Sequence, residues 1–210
     1  MGAVKILQAE REALCETLET VGPEGPTLCE GWLVADLAAH LVVLDTRPDA
    51  IPGVALGGVF GRHTLKLMER AKERGFDWML DRLRGGPPLV HRIGPMAVMN
   101  VFENWVHHED VRRAAGSAPR PEDPDIDDIL WRMTALTGHL SVRRVKSAGI
   151  EIIDDYGRSK VLSKTEPRVT ITGPTGELAL YVSGRKEAAD VAVDGPPEAV
   201  ALVVAAHFGM

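Results

Sequence analysis

Hydrophobic positions recur every three to four residues over the first two thirds of the chain. Ile6, Leu7, Leu14 and Leu18 share one face of a first helix, with Glu10, Arg11 and Glu19 elsewhere on it. Gly22-Pro23 and Gly25-Pro26 then break the chain. Residues 33–44 form a second amphipathic stretch, closed by Pro48 and Pro52. Residues 54–74 predict a third helix, with Lys, Arg and Glu outward and an end at Gly75. A short fourth, residues 76–83, stops before Gly85-Gly86-Pro87-Pro88. Pro95 suits a helix start, and that helix is predicted to run to about Ala115 before Gly116. Residues 125–146 predict the last long helix of this part.

From Gly149 the period falls to two, as in half-buried strands. Ile150-Glu151-Ile152, residues 169–172, residues 178–182 and residues 191–193 predict strands, with a turn at Gly173-Pro174-Thr175-Gly176. Pro197 opens an apolar helix over residues 198–207. The fold class expected is α+β: a helical bundle over residues 1–147, then a small antiparallel α+β domain over residues 148–210.

Composition narrows the function. The 210 residues are 45% hydrophobic and 26% charged, ordinary globular usage that argues against disorder. A net charge of −6 makes general nucleic-acid binding a poor expectation. The longest apolar run, residues 199–206, is far short of the roughly 20 residues of a membrane helix. No basic-then-apolar signal opens the chain. Two cysteines build no disulfide framework: Cys15 reads as an inert core thiol and Cys29 as a structural loop residue. A cytoplasmic protein with no nucleic-acid or membrane partner is expected.

The chemistry gathers at three residues. Glu103 and His107 stand one turn apart on a helix, on a face shared with Met96, Met99, Val106 and Ala114. His40 sits among Leu33, Leu37, Val43 and Leu44 on another helix. Two imidazoles and a carboxylate are a usual set for a metal with an open position. The bland readings are a hydrogen-bonded core histidine at His40 and a buried charge-assisted pair at Glu103 and His107. His63 is an alternative candidate for the ligand role, against a bland reading as an ordinary helix residue; His91, His139 and His207 read as structural or exposed. His108 reads as solvated, and the run 109–113 as a solvated face with salt bridges. Residues 142–146 read as cations at a helix C-terminus. No Gly-x-Ser-x-Gly elbow and no phosphate-binding glycine loop is present.

Three segments carry a resemblance: Pro26-Thr27-Leu28-Cys29-Glu30-Gly31-Trp32 with Asp36-Leu37-Ala38-Ala39-His40-Leu41; Glu103-Asn104-Trp105-Val106-His107-His108 through Ala114; and residues 169–194. Together they resemble the mycothiol-dependent maleylpyruvate isomerase family. The resemblance implies a DinB-like, up-down metal-binding bundle, then a small domain similar to sterol-carrier proteins. It implies His40, Glu103 and His107 as ligands of a divalent metal, most simply zinc. It further implies mycothiol as thiol cosubstrate, a small electrophilic substrate, and Arg185 in Gly184-Arg185 as a substrate contact. Arg47-Pro48-Asp49-Ala50 points to a metal-binding subgroup rather than the isomerase itself. Leu33 departs from the Ser or Thr such motifs place after Gly-Trp, and removes an N-cap worth ~1 kcal/mol. Asp36, one turn before His40, is expected to accept the imidazole N–H. The chemistry expected is thiol transfer or thiol-assisted isomerisation. A metal-hydroxide hydrolase and a non-catalytic metal-binding module are the alternatives.

Overall fold

The computed structural model describes residues 2–47, 58–88 and 94–209, with the side chains of 58–60 left aside. Pro48 to Ala50, Pro52, residues 54–57 and His91 therefore lie outside the described residues. The chain divides into two compact units, Met1–Arg120 and Pro121–Met210. Among the described residues there are eight α-helices and one four-stranded sheet.

Five helices make the first unit: α1 (Ala3–Val21), α2 (Val34–Thr46), α3 (Gly58–Lys72), α4 (Phe76–Arg84) and α5 (Gly94–Ala114). Helix α1 lies along α5, and α2 lies along α3, with α4 packed on α1 and α2. Leu14, Leu18, Leu37, Ala38, Met79, Leu83 and Val111 meet in its core. Leu33 offers no side-chain oxygen at the start of α2, so only half of a capping box forms. Asp36 supplies it, accepting the Leu33 N–H at 3.0 Å.

The second unit begins with α6 (Pro124–Ser141), capped by Asp123, whose carboxylate accepts the Asp125 N–H at 3.0 Å. Strands β1 (Gly149–Asp154), β2 (Ser159–Ser163), β3 (Arg168–Gly173) and β4 (Ala192–Asp194) follow, with α7 (Thr175–Val182) between β3 and β4 and α8 (Pro197–Ala205) last. The strand order is β2-β1-β3-β4. Strands β1 and β3 run parallel, pairing Ile150 with Val169 and Ile152 with Ile171. The outer pairs are antiparallel. Those four side chains are fully buried beneath Leu178, Val182, Ala199 and Val203 of the helices. Gly149 opens β1 where an added Cβ would stand 2.0 Å from the Thr165 carbonyl oxygen, a space only hydrogen fits.

Several expectations are corrected, and one strand lies beyond them. The sheet is mixed, not antiparallel. Residues 178–182 belong to a helix, not a strand, because a short apolar run suits a helix buried on all sides equally well. Strand β2 has too few apolar residues to show in the pattern. Finally, α6 ends at Ser141 and packs on α7 and β2, so the compact units divide before it, near Arg120 rather than at residues 147–148. The basic run 142–146 thus follows the helix instead of closing it.

Candidate metal centre

Helix α5 is the buried spine of the first unit: every residue from Asn104 to Val111 is buried. A helix covered on all sides must place its polar groups inside, and each then needs a partner. On one side, His108 Nδ1 faces Glu10 Oε1 of α1 at 2.9 Å, and its Nε2 faces Thr17 Oγ1 at 2.8 Å. Arg120 donates to both Glu10 oxygens at 2.9 Å. Glu109 accepts from Arg112 and Arg113, each at 2.7 Å, and these guanidinium charges with that of Arg120 outweigh burial to hold its carboxyl below the usual range. The solvated reading of His108, Glu109 and Asp110 is therefore corrected: all three are buried and paired.

The other side of α5 faces α2. His107 Nε2 stands 3.2 Å from Glu103 Oε1, and His40 Nε2 approaches the same oxygen at 3.7 Å. The two imidazole rings meet edge to face, 5.2 Å between centroids. One ligand atom from each of His40, Glu103 and His107 lies within 4.8 Å of the others. Donors held tetrahedrally around one zinc-sized ion stand roughly 3.3–3.6 Å apart, so the two distances to Glu103 fall on either side of that range. The donor set fits a borderline divalent ion by both chemistry and spacing.

The electrostatics agree. Burial pushes the Glu103 carboxyl up, but hydrogen bonds and charge from His107 and His40 prevail and hold it far below the carboxylate range. Burial likewise opposes charge on His107, yet Asp110, Cys29 and Glu103 raise its pKa well above that of a free imidazole. The pocket thus favours a positive charge at its centre. His40 and His107 are nearly enclosed, whereas the Glu103 side chain is 36% exposed, so the set is reached past the carboxylate. Trp32 covers the other side of His40, 5.1 Å between ring centroids.

Behind His107, Nδ1 faces Asp110 Oδ2 at 2.9 Å, leaving Nε2 toward Glu103. A carboxylate behind a ligating histidine fixes ring and tautomer in this way. The expected partner for such a role was Asp36 behind His40. Asp36 instead accepts from Leu33 and from Lys72 at 2.8 Å, engaged at the helix end. His-x-x-Asp spacing, one turn on α5, was the signal available for Asp110. His63 is exposed on α3 and outside the group. Arg185 lies in the second unit, donating to the Ser183 carbonyl at 2.6 Å. Cys15 is buried in the core, which pushes its thiol up to about 11.

No protein-family model and no curated protein sequence matches the chain. Solved structures do. A crystal structure of the mycothiol-dependent maleylpyruvate isomerase superposes with a TM-score of 0.65 over 91% of each chain, at 14% identity. That enzyme's histidine-to-alanine variant gives 0.64 over the same coverage and identity. This chain has the maleylpyruvate isomerase fold. The likeness spans both units, as the sequence motifs suggested. No described helix is long and apolar enough to cross a membrane.

Proposed function

We propose that this chain binds one divalent ion, most simply zinc, through His40, Glu103 and His107, and uses it in mycothiol-dependent isomerisation or transfer on a small electrophile. The observation that carries this reading is the convergence of three donor atoms from α2 and α5 within 4.8 Å, on a fold shared with a mycothiol-dependent isomerase. When bound, such an ion supplies a field that favours thiolate over thiol at neutral pH. His40 and His107 would present their Nε2 atoms to the ion and so set where the thiol of the cosubstrate could approach it. Glu103 offsets the ion's charge at the open side of the group. Asp110 keeps His107 in the tautomer that leaves Nε2 free to ligate. Trp32 excludes water from the far side of His40. Arg185 enters only through the sequence resemblance, as a candidate contact for the substrate.

Metal analysis tests the first half. The purified protein should hold about one ion per chain, and His40→Ala, Glu103→Gln and His107→Ala should each lose it. Loss in His108→Ala with retention in His107→Ala would overturn the assignment. Cobalt-substituted protein tests the second half: adding mycothiol should give a new sulfur-to-metal band, absent in His40→Ala. A loaded protein whose spectrum ignores mycothiol would leave the hydrolase or the non-catalytic module.

A further inference from the structure

The other ring nitrogen of His107 faces a second set of donors. Cys29 Sγ, His107 Nδ1 and an Asp110 carboxylate oxygen lie within 4.8 Å of one another. Thiol and ring converge on the same atom: the Cys29 thiol donates to Asp110 Oδ2 at 3.1 Å, and His107 Nδ1 faces it at 2.9 Å. The loop that carries Cys29 is fixed before any ligand arrives. Thr27 Oγ1 accepts the Cys29 N–H at 3.1 Å and donates to the Trp32 carbonyl at 2.9 Å, while the Leu28 N–H donates to the Asp110 carbonyl at 3.0 Å. Asp110 is fully buried, whereas Cys29 is only half-buried and leaves a way in.

We propose that Cys29, His107 and Asp110 form a second cation site, suited to a soft thiophilic divalent ion of the cadmium class. The distinction from the first group is chemical. That group offers two nitrogens and an oxygen; this one offers sulfur, nitrogen and oxygen, and thiolate sulfur selects softer ions. The ion replaces the two protons directed at Oδ2, one from the Cys29 thiol and one from His107 Nδ1. Both protons pass to solvent, Nε2 keeps its own toward Glu103, and no electron changes hands. The donor spacings of 3.1 and 2.9 Å are tighter than the roughly 3.3–3.6 Å of a filled tetrahedral shell around a zinc-sized ion, and a larger ion needs more. Rotation about the Cys29 Cα–Cβ bond widens the sulfur spacing, and a turn of the Asp110 carboxylate widens its spacing to His107 Nδ1. The site shares the His107 ring with the first group, so the two fill alternately and not together, but it does not rest on the function proposed for that group.

The test is a Cd2+ titration of the full-length, chelator-treated, reduced protein, followed by the thiolate-to-cadmium ultraviolet band and by 113Cd NMR. A band that saturates at one thiolate-bound ion per chain is expected. Cys29→Ser should abolish it, and Asp110→Asn should weaken binding at least tenfold. Glu103→Gln and His40→Ala, which disable the first group, should leave it intact, so failure of one site is distinguishable from failure of the other. No band in the wild type, a band that survives Cys29→Ser, or undiminished affinity in Asp110→Asn would overturn the proposal. Circular dichroism checks that each variant folds. Should Asp110→Asn fail to fold, the 113Cd shift of the wild type decides: a mixed sulfur, nitrogen and oxygen shell supports the site, and a single sulfur with solvent overturns it.

Discussion

In the first unit Glu10, Arg11, His40, Asp45, His107, His108, Glu109 and Asp110 are all buried; in the second, the buried ionisable side chains described are Asp127, Asp154 and Glu177, besides Tyr181. Apart from the hydroxyls of Thr134 and Thr175, the rest of that interior is hydrocarbon, with Ile150, Ile152, Val169 and Ile171 of the sheet under the helices. Charged interiors are costly to assemble and costly to break, and rarely gain stability over an apolar core of the same volume. Their concentration around α5 marks where this chain trades packing for chemistry. The second unit is organised around packing.

Breaking one buried partner in each unit should separate the two cases most. Arg11 donates to Asp45, Asn104 and the Leu83 carbonyl, tying four helices together. Arg11→Ala strands a buried Asp45 and should cost about 3–5 kcal/mol in denaturant unfolding. Ile152→Ala removes only hydrocarbon from the sheet and should cost about 2–4 kcal/mol. A loss under about 1 kcal/mol for Arg11→Ala would end the contrast.

A smaller effect lies in the exception within the second unit. Burial and the nearby Glu122 raise the Asp127 carboxyl from 3.8 to about 6, although the Tyr156 hydroxyl donates to it. A raised acid pKa favours the folded state at low pH, and that contribution is lost as pH climbs from about 4 to about 6. Asp127→Asn keeps an acceptor for Tyr156. It should match the wild type near the acid end and exceed it by about 1 kcal/mol at neutral pH, seen as a higher Tm. An unchanged pH profile would show that Asp127 titrates normally. The smallest effect should come from Leu33→Ser, which completes the capping box with Asp36 and should raise stability by about 0.5–1 kcal/mol.

The ligand group was legible from sequence because one helical turn is a local fact: Glu103 and His107 must share a face wherever α5 packs. His40 joined them from the apolar face of its own helix, and the family resemblance selected the same three. The surroundings of α5 were not legible. Periodicity reads one apolar face per helix, and a spine buried on all sides has no such face. His108, Glu109 and Asp110 therefore looked solvated, although Glu10, Arg120 and Cys29, distant in sequence, cover them. The strand assigned to residues 178–182 failed for the related reason that total burial erases the period. Asp36 was misplaced because capping competes locally for a carboxylate at a helix start.

The strand order carries a consequence for how the second unit breathes. Strands β1 and β3 are hydrogen-bonded on both flanks, while β2 and β4 form the two edges. Amide protons of β1 and β3 are released to solvent only when the sheet opens as a whole, whereas the outer amides of β2 and β4 exchange through fraying. In deuterated water the backbone from Gly149 to Asp154 should hold its protons longest, and the three residues of β4 should give theirs up first.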